Sequence, residues 1–289
     1  MNWEETKAFL APCFPQIIRD EMELLLPGEL REIRVRAQRP TVFCTAGRTA
    51  AIAWQPDQRQ VETLAEALSG HSLYARQQET RQGYVTLQGG HRMGMCGRVA
   101  PQGLKDIASL CLRIACQWPG CAENLLPYAE NLLIIGPPGS GKTTLMRDLS
   151  RLLSTGRDAR QVAIIDERGE LAACVHGVPQ LDVGESCDVL DGLAKPQAVA
   201  WLIRSMAPQV IITDELSGPE DAAALLDALA CGAAVITSCH GTSLSEVANR
   251  PAMANLMARR AFRYYALLHP EGGGRIAAIY DRAGSPVKL

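Results

Sequence analysis

Aromatic residues are scarce in this 289-residue chain: they make up 5% of it, with four Phe. That leaves no platform of interleaved aromatic and basic side chains on which nucleic-acid bases would stack. An excess of charge of one sign is missing too. The formal net charge is −2, which argues against a generally basic protein coating a phosphate backbone, although local basic strips stay open. No apolar run approaches the roughly 18 residues that crossing a bilayer requires, and the first residues carry no signal-peptide pattern. The expectation is a soluble, cytoplasmic chain that at most docks on a membrane-bound machine. Cys-x-x-Cys is absent despite ten cysteines, and Cys111, Cys116 and Cys121 stand five apart without histidines at metal-ligand spacing. They read as reduced, mostly buried small apolar side chains. There is no long repeat, low-complexity tract or charged tail. With 47% hydrophobic and 21% charged residues, the composition is ordinary for one large domain or two smaller ones.

What is present begins with residues 134–144, IIGPPGSGKTT. The apolar stretch 131–135 reads as a buried strand and 143–154 as an amphipathic helix. Between them Gly136, Gly139 and Gly141 stand where backbone must turn tightly or approach a ligand closely. Gly136-Pro137-Pro138-Gly139-Ser140-Gly141-Lys142-Thr143-Thr144 fits a loop whose N–H groups wrap phosphates at a helix N-terminus. Lys142 would reach the β- and γ-phosphates of ATP, and the Thr143 hydroxyl would hold Mg²⁺.

The two halves of the chain are patterned differently. After residue 130, strands at 131–135, 161–166, 209–213, 233–238 and 275–280 alternate with helices at 143–154, 196–206 and 219–231. Such alternation predicts a mostly parallel sheet covered on both faces, with ligands at the carboxyl ends of its strands. Before residue 117 the pattern predicts helices at 2–11 and 15–25, strands at 32–36, 41–44 and 50–54, and a helical stretch at 61–80. A hairpin over 84–94 would turn at Gly89-Gly90, and a last strand would span 107–115. The expected division is an α+β N-terminal domain at 1–117, a linker at 118–130 and an α/β P-loop domain at 131–289.

Three further strand ends carry chemistry. Val210-Ile211-Ile212-Thr213-Asp214-Glu215 ends in adjacent carboxylates: Asp214 would hold Mg²⁺ through its water shell, and Glu215 would polarise the attacking water. The strand over 162–166 runs into Asp166, Glu167 and Glu170, which either face the γ-phosphate or cap the segment that follows. The strand over 233–238 runs into Cys239-His240, where a neutral imidazole would sense the γ-phosphate or its water.

This order of phosphate loop, acidic box, Asp-Glu and His resembles the secretion-type ATPases, the hexameric motors of type II and IV secretion and of pilus retraction. In that resemblance Asp166 to Glu170 match the acidic box, Asp214-Glu215 the Mg²⁺ strand, and Cys239-His240-Gly241 with Arg250 the histidine box. One departure is visible: those motors usually carry Gly-Glu where this chain has Asp214-Glu215. A fuller resemblance, to the stage III sporulation protein AA family, rests on Leu30-Arg31-Glu32-Ile33-Arg34-Val35-Arg36 with Arg39-Pro40, on Gly89-Gly90-His91-Arg92-x-Gly94-x-Cys96-Gly97, and on Leu112-Arg113-Ile114-Ala115. Asp166-Glu167-Arg168-Gly169-Glu170 and Asp214-Glu215-Leu216 match as well. It implies a RecA-like P-loop ATPase of endospore-forming bacteria. Such a protein would act in the mother cell as a hexameric ring, at the base of the channel to the forespore, with membrane-embedded stage III sporulation proteins as partners.

The resemblance to secretion motors also implies that Arg92, Arg98 and Arg113 are placed over a nucleotide, a task suited to a planar guanidinium that never loses its charge; otherwise they are solvated strand residues. Strand alternation puts Arg34 and Arg36 on one face, a strip that binds a partner or faces water. Two other readings compete with the motor: a nucleic-acid-binding P-loop ATPase, and a nucleotide-gated scaffold in which turnover hardly matters.

Overall fold

A computed structural model of the chain describes residues 2–45, 47–73, 80, 83–101 and 103–287. The fold divides into two compact units, one up to Cys116 and one from Gln117 onward.

The first unit opens with α1 (Trp3–Leu10), closed at its start by a reciprocal capping box between Asn2 and Glu5, and α2 (Gln16–Glu23). A sheet follows: β1 (Leu30–Arg36), β2 (Thr41–Thr45), β3 (Thr49–Ile52), β4 (Tyr84–Thr86), β5 (Arg92–Ala100) and β6 (Gly103–Arg113). Its order is β3-β2-β1-β6-β5-β4, with antiparallel neighbours throughout. Helix α3 (Gln58–Leu68) precedes β4 and begins on a second capping box, between Asp57 and Gln60. The predicted helical stretch 61–80 is helical to Leu68, and its positions 74–79 lie outside the described residues. Ile33 and Val35 are buried with Leu10, Ile18, Met22, Val61 and Leu64. Arg34 and Arg36, one residue out of phase, lie on the opposite face, as period-two alternation requires.

Two features of this sheet depart from expectation. β4 and β5 do form a hairpin turned at Gly89 and Gly90, both at positive φ. β5, however, continues to Ala100 and forms a second, longer hairpin with β6, which starts at Gly103 rather than 107. The register shifts between Cys96 and Arg98, and a Cβ on Gly97 would stand 2.6 Å from the carbonyl oxygens of Lys105 and Asp106. This bulge interrupts the strict alternation by which a strand is recognised.

The second unit is doubly wound. Its strands are β7 (Leu132–Ile135), β8 (Val162–Asp166), β9 (Cys187–Asp191), β10 (Val210–Glu215), β11 (Ala234–Cys239), β12 (Tyr264–Leu268), β13 (Ile276–Asp281) and β14 (Pro286–Val287). The order is β14-β13-β12-β7-β11-β10-β8-β9. The run from β12 to β9 is parallel, and β13 and β14 are an antiparallel edge. The helices are α4 (Lys142–Ser154), α5 (Lys195–Ser205), α6 (Pro219–Ala230), α7 (Leu244–Ala248) and α8 (Pro251–Ala258). β7 shows why its strands read as continuous apolar runs: Leu132 and Ile134 join the core with Leu145 and Leu149 of α4, while Leu133 and Ile135 join the opposite one with Met253 and Leu256 of α8.

Residues 118–130, expected as a linker, are packed into this unit. They hold a 3₁₀ segment (Glu123–Tyr128), Ala122 and Leu125 are fully buried against α4, and the Asp148 carboxylate accepts from the N–H groups of Gly120 (3.1 Å) and Ala122 (2.8 Å).

Candidate active site

The parallel registers bring four strand ends to one rim: Ile135 of β7 pairs with Cys239 of β11, Ser238 of β11 with Glu215 of β10, and Thr213 of β10 with Ile165 of β8. β11 therefore lies between the strand feeding the phosphate loop and the strand ending in Asp214-Glu215. That loop leaves β7 at Gly136 and enters α4 at Lys142 with Gly141 at φ 99°, and no side chain caps the helix start. A Cβ on Gly136 would stand 2.4 Å from Ser140 Oγ, and one on Gly141 2.6 Å from Gly274 N, so both positions are closed to larger residues. Ser140 is fully buried and its Oγ has no partner among the described residues. Thr143 and Thr144 are half-buried on the first turn, where the exposed N–H groups and the helix dipole favour an anion.

Lys142 is nearly buried, and its ammonium donates to the carbonyls of Gly136 (2.8 Å) and Pro137 (2.9 Å). Burial lowers its pKa, opposed by the charge of Glu215. The same ammonium lies 3.1 Å from His240 Nδ1, and His240 Nε2 lies 2.8 Å from Glu215 Oε2. A protonated Lys142 can only donate, so Nδ1 is the acceptor and the ring proton resides on Nε2, facing Glu215. Three residues predicted separately from three strand ends thus form one hydrogen-bonded chain.

Asp214 points elsewhere. Its Oδ1 is 2.6 Å from Lys195 Nζ, which is also 2.7 Å from Glu167 Oε2. Lys195 is 1% exposed. Burial pulls its pKa down, but the Asp214 and Glu167 carboxylates outweigh burial and the net displacement is upward. Burial pushes Asp214 up, and the Lys195 pairing only partly opposes it. Sequence reasoning missed Lys195, although one signal was available: it is the first residue of α5, where the helix dipole disfavours a cation unless something holds it there.

The alternatives left open for the acidic segment are now decided for Asp166. It is fully buried, and its carboxylate accepts from the N–H groups of Glu170, Leu171, Ala172 and Ala173 at 2.8 to 3.3 Å. It caps the following turn instead of facing a phosphate, leaving Glu167 as the residue of the segment that reaches the Asp214 pair. Arg147, also missed, is buried on α4 and donates to the carbonyls of Leu171 (2.6 Å) and Glu170 (2.7 Å), tying that turn to the phosphate-loop helix. Arg250 pairs with Glu246 at 2.8 Å.

The predicted arginines are all on the first unit. Arg92 and Arg113 are directly opposed across β5 and β6. Arg92 lies 4.1 Å over the Tyr84 ring, and Arg113 stands 3.3 Å from Glu32, which also holds Arg34 at 2.7 Å. Arg98, beyond the bulge, pairs with Asp106 at 2.6 Å in the open.

The residues fit a metal-bound triphosphate. Asp214 Oδ2 is buried without a partner among the described residues, and the Thr143 hydroxyl sits on the first turn of the phosphate-loop helix. An uncompensated buried oxygen of this kind costs stability unless something meets it.

In fold the chain is similar to solved structures of a pilus motor and of an ATPase. The pilus retraction motor PilT with bound ADP superposes with a TM-score of 0.64 at 16% identity, over 91% of this chain and 81% of that one. The ATPase DotB of Legionella pneumophila does so with a TM-score of 0.57 at 17% identity, over 82% and 72%. The fold is α/β, a RecA-like unit with a mostly parallel sheet preceded by a smaller α+β unit. Stage III sporulation protein AA of Bacillus subtilis (strain 168) is 43% identical over 271 residues, which is 89% of this chain and 88% of that protein. A family match running from residue 3 to residue 287 takes in both units and the whole rim, and the chain belongs to the family described as sporulation stage III, protein AA.

Proposed function

We propose that this chain is a Mg²⁺-dependent ATPase that drives a secretion-like channel between mother cell and forespore. The observation that carries the reading is the chain Lys142–His240–Glu215, which couples the phosphate loop to the acidic strand across β11. The loop 136–144 holds the phosphates, and the Lys142 ammonium supplies their counter-charge. Thr143 and Asp214 Oδ2 would hold Mg²⁺, which when bound would supply charge neutralisation to the phosphates. Glu215 orients the attacking water and takes its proton at a carboxylate oxygen. The Nε2–H of His240 fixes that carboxylate, so the base is positioned before substrate arrives.

Arg92, Arg98 and Arg113 are assigned to nucleotide held by another subunit of a hexameric ring, where an arginine stabilises charge on the transferred phosphoryl group. No helix among the described residues is long and apolar enough to cross a membrane. We assign the protein to the cytoplasmic side of the mother-cell membrane, docked on membrane-embedded stage III sporulation proteins. The nucleic-acid reading is disfavoured, because Glu32 neutralises Arg34 and Arg113 on the face that would meet a phosphate backbone.

Paired variants test the reading. Lys142→Ala should abolish ATP binding. Glu215→Gln should keep ATP bound while turnover falls by about 10² to 10⁴, the usual contribution of a positioned base. Native turnover in Glu215→Gln would move the water-activating role to Glu167. Mutating Arg92 or Arg113 should lower kcat more than it weakens ATP binding, and specific activity should rise with protein concentration.

A further inference from the structure

The phosphate loop lies at the carboxyl end of the parallel strands, and the amino end carries a groove of its own. It measures about 620 Å³ and lies within the second unit, where β7 and β12 begin and β13 ends. Three arginines line it: Arg260 after α8, Arg263 just before β12, and Arg282 in the turn after β13. We infer that this groove binds an acidic peptide segment of a partner protein, through carboxylates held by Arg260 and Arg282. It lies at the far end of the strands from the nucleotide rim and does not rest on the ATP-binding reading.

Charge is the first argument. The two acids among the lining residues are already engaged. Glu130 pairs with Arg263, whose guanidinium also lies 5.5 Å over the Tyr264 ring. Asp281 Oδ1 accepts from the N–H groups of Ala283 and Ser285, both at 2.9 Å, and so holds its own turn together. Arg260 and Arg282 are exposed and have no carboxylate partner among the described residues. The chain as a whole has a formal net charge of −2, so this positive recess is a local feature and not part of a basic surface.

Preorganisation is the second. Arg260 stands at φ 55°, a conformation that glycine adopts with less strain, and its N–H donates to Met257 O at 2.9 Å. Arg282 sits in a turn closed by the Gly284 N–H, which donates to Asp281 O at 2.9 Å. Fixed backbone lowers the ordering cost of binding, and a guanidinium fork can grip a carboxylate with two parallel hydrogen bonds. The Glu130–Arg263 pair is a carboxylate already held in this groove by an arginine.

The rest of the lining selects a peptide over other polyanions. Base stacking needs an open ring, but Tyr264 is half-buried between Arg263 and the edge of Tyr128, ring centroids 5.1 Å apart. Insertion into a bilayer surface needs exposed large apolar side chains, and none lines the groove. Asn131 offers a group suited to a peptide. Its amide oxygen accepts from Val235 N at 2.9 Å, which leaves the NH₂ to donate to a backbone carbonyl.

The test titrates a fluorescein-labelled oligoglutamate peptide with the full chain and follows anisotropy. Arg260→Ala and Arg282→Ala, both at exposed positions, should each weaken binding about tenfold, the order of one hydrogen bond to a charged group. The double variant should weaken it by about a hundredfold, at native circular dichroism and with native ATP binding. Arg204→Ala, an exposed arginine of α5, is the control and should change nothing. A native chain that does not bind the peptide, or a double variant that binds it as well as the native chain, overturns the assignment. Equal weakening by Arg204→Ala would mean diffuse attraction and overturn it too. So would binding of phosphatidylglycerol vesicles or single-stranded DNA that the double variant abolishes while oligoglutamate binding stays native, which would reassign the groove to a membrane or a nucleic acid.

Discussion

The two units treat charge in opposite ways. In the first, ion pairs such as Lys7–Glu23, Arg98–Asp106 and Arg34–Glu32 stay in contact with water, and the charge-bearing side chain that is buried among the described residues is a histidine held neutral. In the second, Lys142, Arg147, Asp148, Asp166, Lys195 and Asp214 are all buried. Burying an ion costs several kcal/mol even when it is paired, and a hydrophobic replacement is often no less stable. A fold would keep such groups where their charges serve a ligand. In the second unit four of them, Lys142, Asp166, Lys195 and Asp214, gather at the carboxyl ends of the parallel strands, where doubly wound sheets bind ligands. The contrast teaches that the rim is the expensive part of this molecule, and that the first unit pays little to display its arginines.

Breaking the contrast should have its largest effect at Lys195. Lys195→Met removes the cation between Asp214 and Glu167 and leaves at least one carboxylate buried without compensation. Removing one partner of a buried pair costs about 3–5 kcal/mol, so the midpoint of chemical unfolding should fall sharply. Adding Asp214→Asn should recover part of that loss, because the neutral amide needs no counter-charge. A Lys195→Met chain as stable as the native one would mean that the pair is not the compensated ion pair described here.

A smaller effect should appear in acid, and it should be confined to the first unit. His91 is fully buried, its Nδ1 accepts from Ala115 N at 3.0 Å, and its ring stacks on Phe9. Burial pushes its pKa from 6.5 down to about 4. The unfolded chain therefore binds the proton more readily than the fold, so this contribution is fully present above about pH 6.5 and is lost as pH falls toward 4. The loss reaches about 3 kcal/mol at most. Hydrogen exchange of the β4–β6 amides should accelerate over that window. In His91→Gln, which keeps an acceptor for Ala115 N, the acceleration should disappear.

Much of the second unit was legible because a doubly wound sheet writes each strand as an apolar run and each ligand group at a run's end. The phosphate loop, Asp214-Glu215 and His240 all stand at such run ends. What escaped notice does not announce itself locally. β9 (Cys-Asp-Val-Leu-Asp) is a half-buried edge strand whose two acids, Asp188 and Asp191, stand three apart and so break any period-two alternation, and it is made a strand by its pairing with β8. Arg147 reads as an ordinary polar position of an amphipathic helix until the turn after β8 folds onto it. Asp166 looks identical to a catalytic acid until the four N–H groups it accepts from are in place. Lys195 acquires its role from two carboxylates 28 and 19 residues away in sequence. In the first unit the motif strings identified the family, but the strand limits depended on the bulge at Gly97, a distortion that no residue pattern specifies.

The smallest effect should come from Arg98, and its smallness is what sharpens the comparison. Arg98 Nε lies 2.6 Å from Asp106 Oδ2, but the side chains are 70% and 48% exposed. Water screens such a pair, and exposed pairs are worth about 0–1 kcal/mol. Arg98→Ala should therefore shift the unfolding midpoint barely at all, and added salt should not widen the difference. Arg113→Ala should behave similarly, because Glu32 keeps Arg34 as a partner. If these arginines act only within their own sheet, ATP turnover should be as insensitive as stability. If they act on nucleotide in a ring, turnover should fall while stability holds, and the fall should persist at protein concentrations that saturate assembly. Loss of stability by several kcal/mol in Arg98→Ala would place a buried, structural charge in the first unit and remove the distinction between the units.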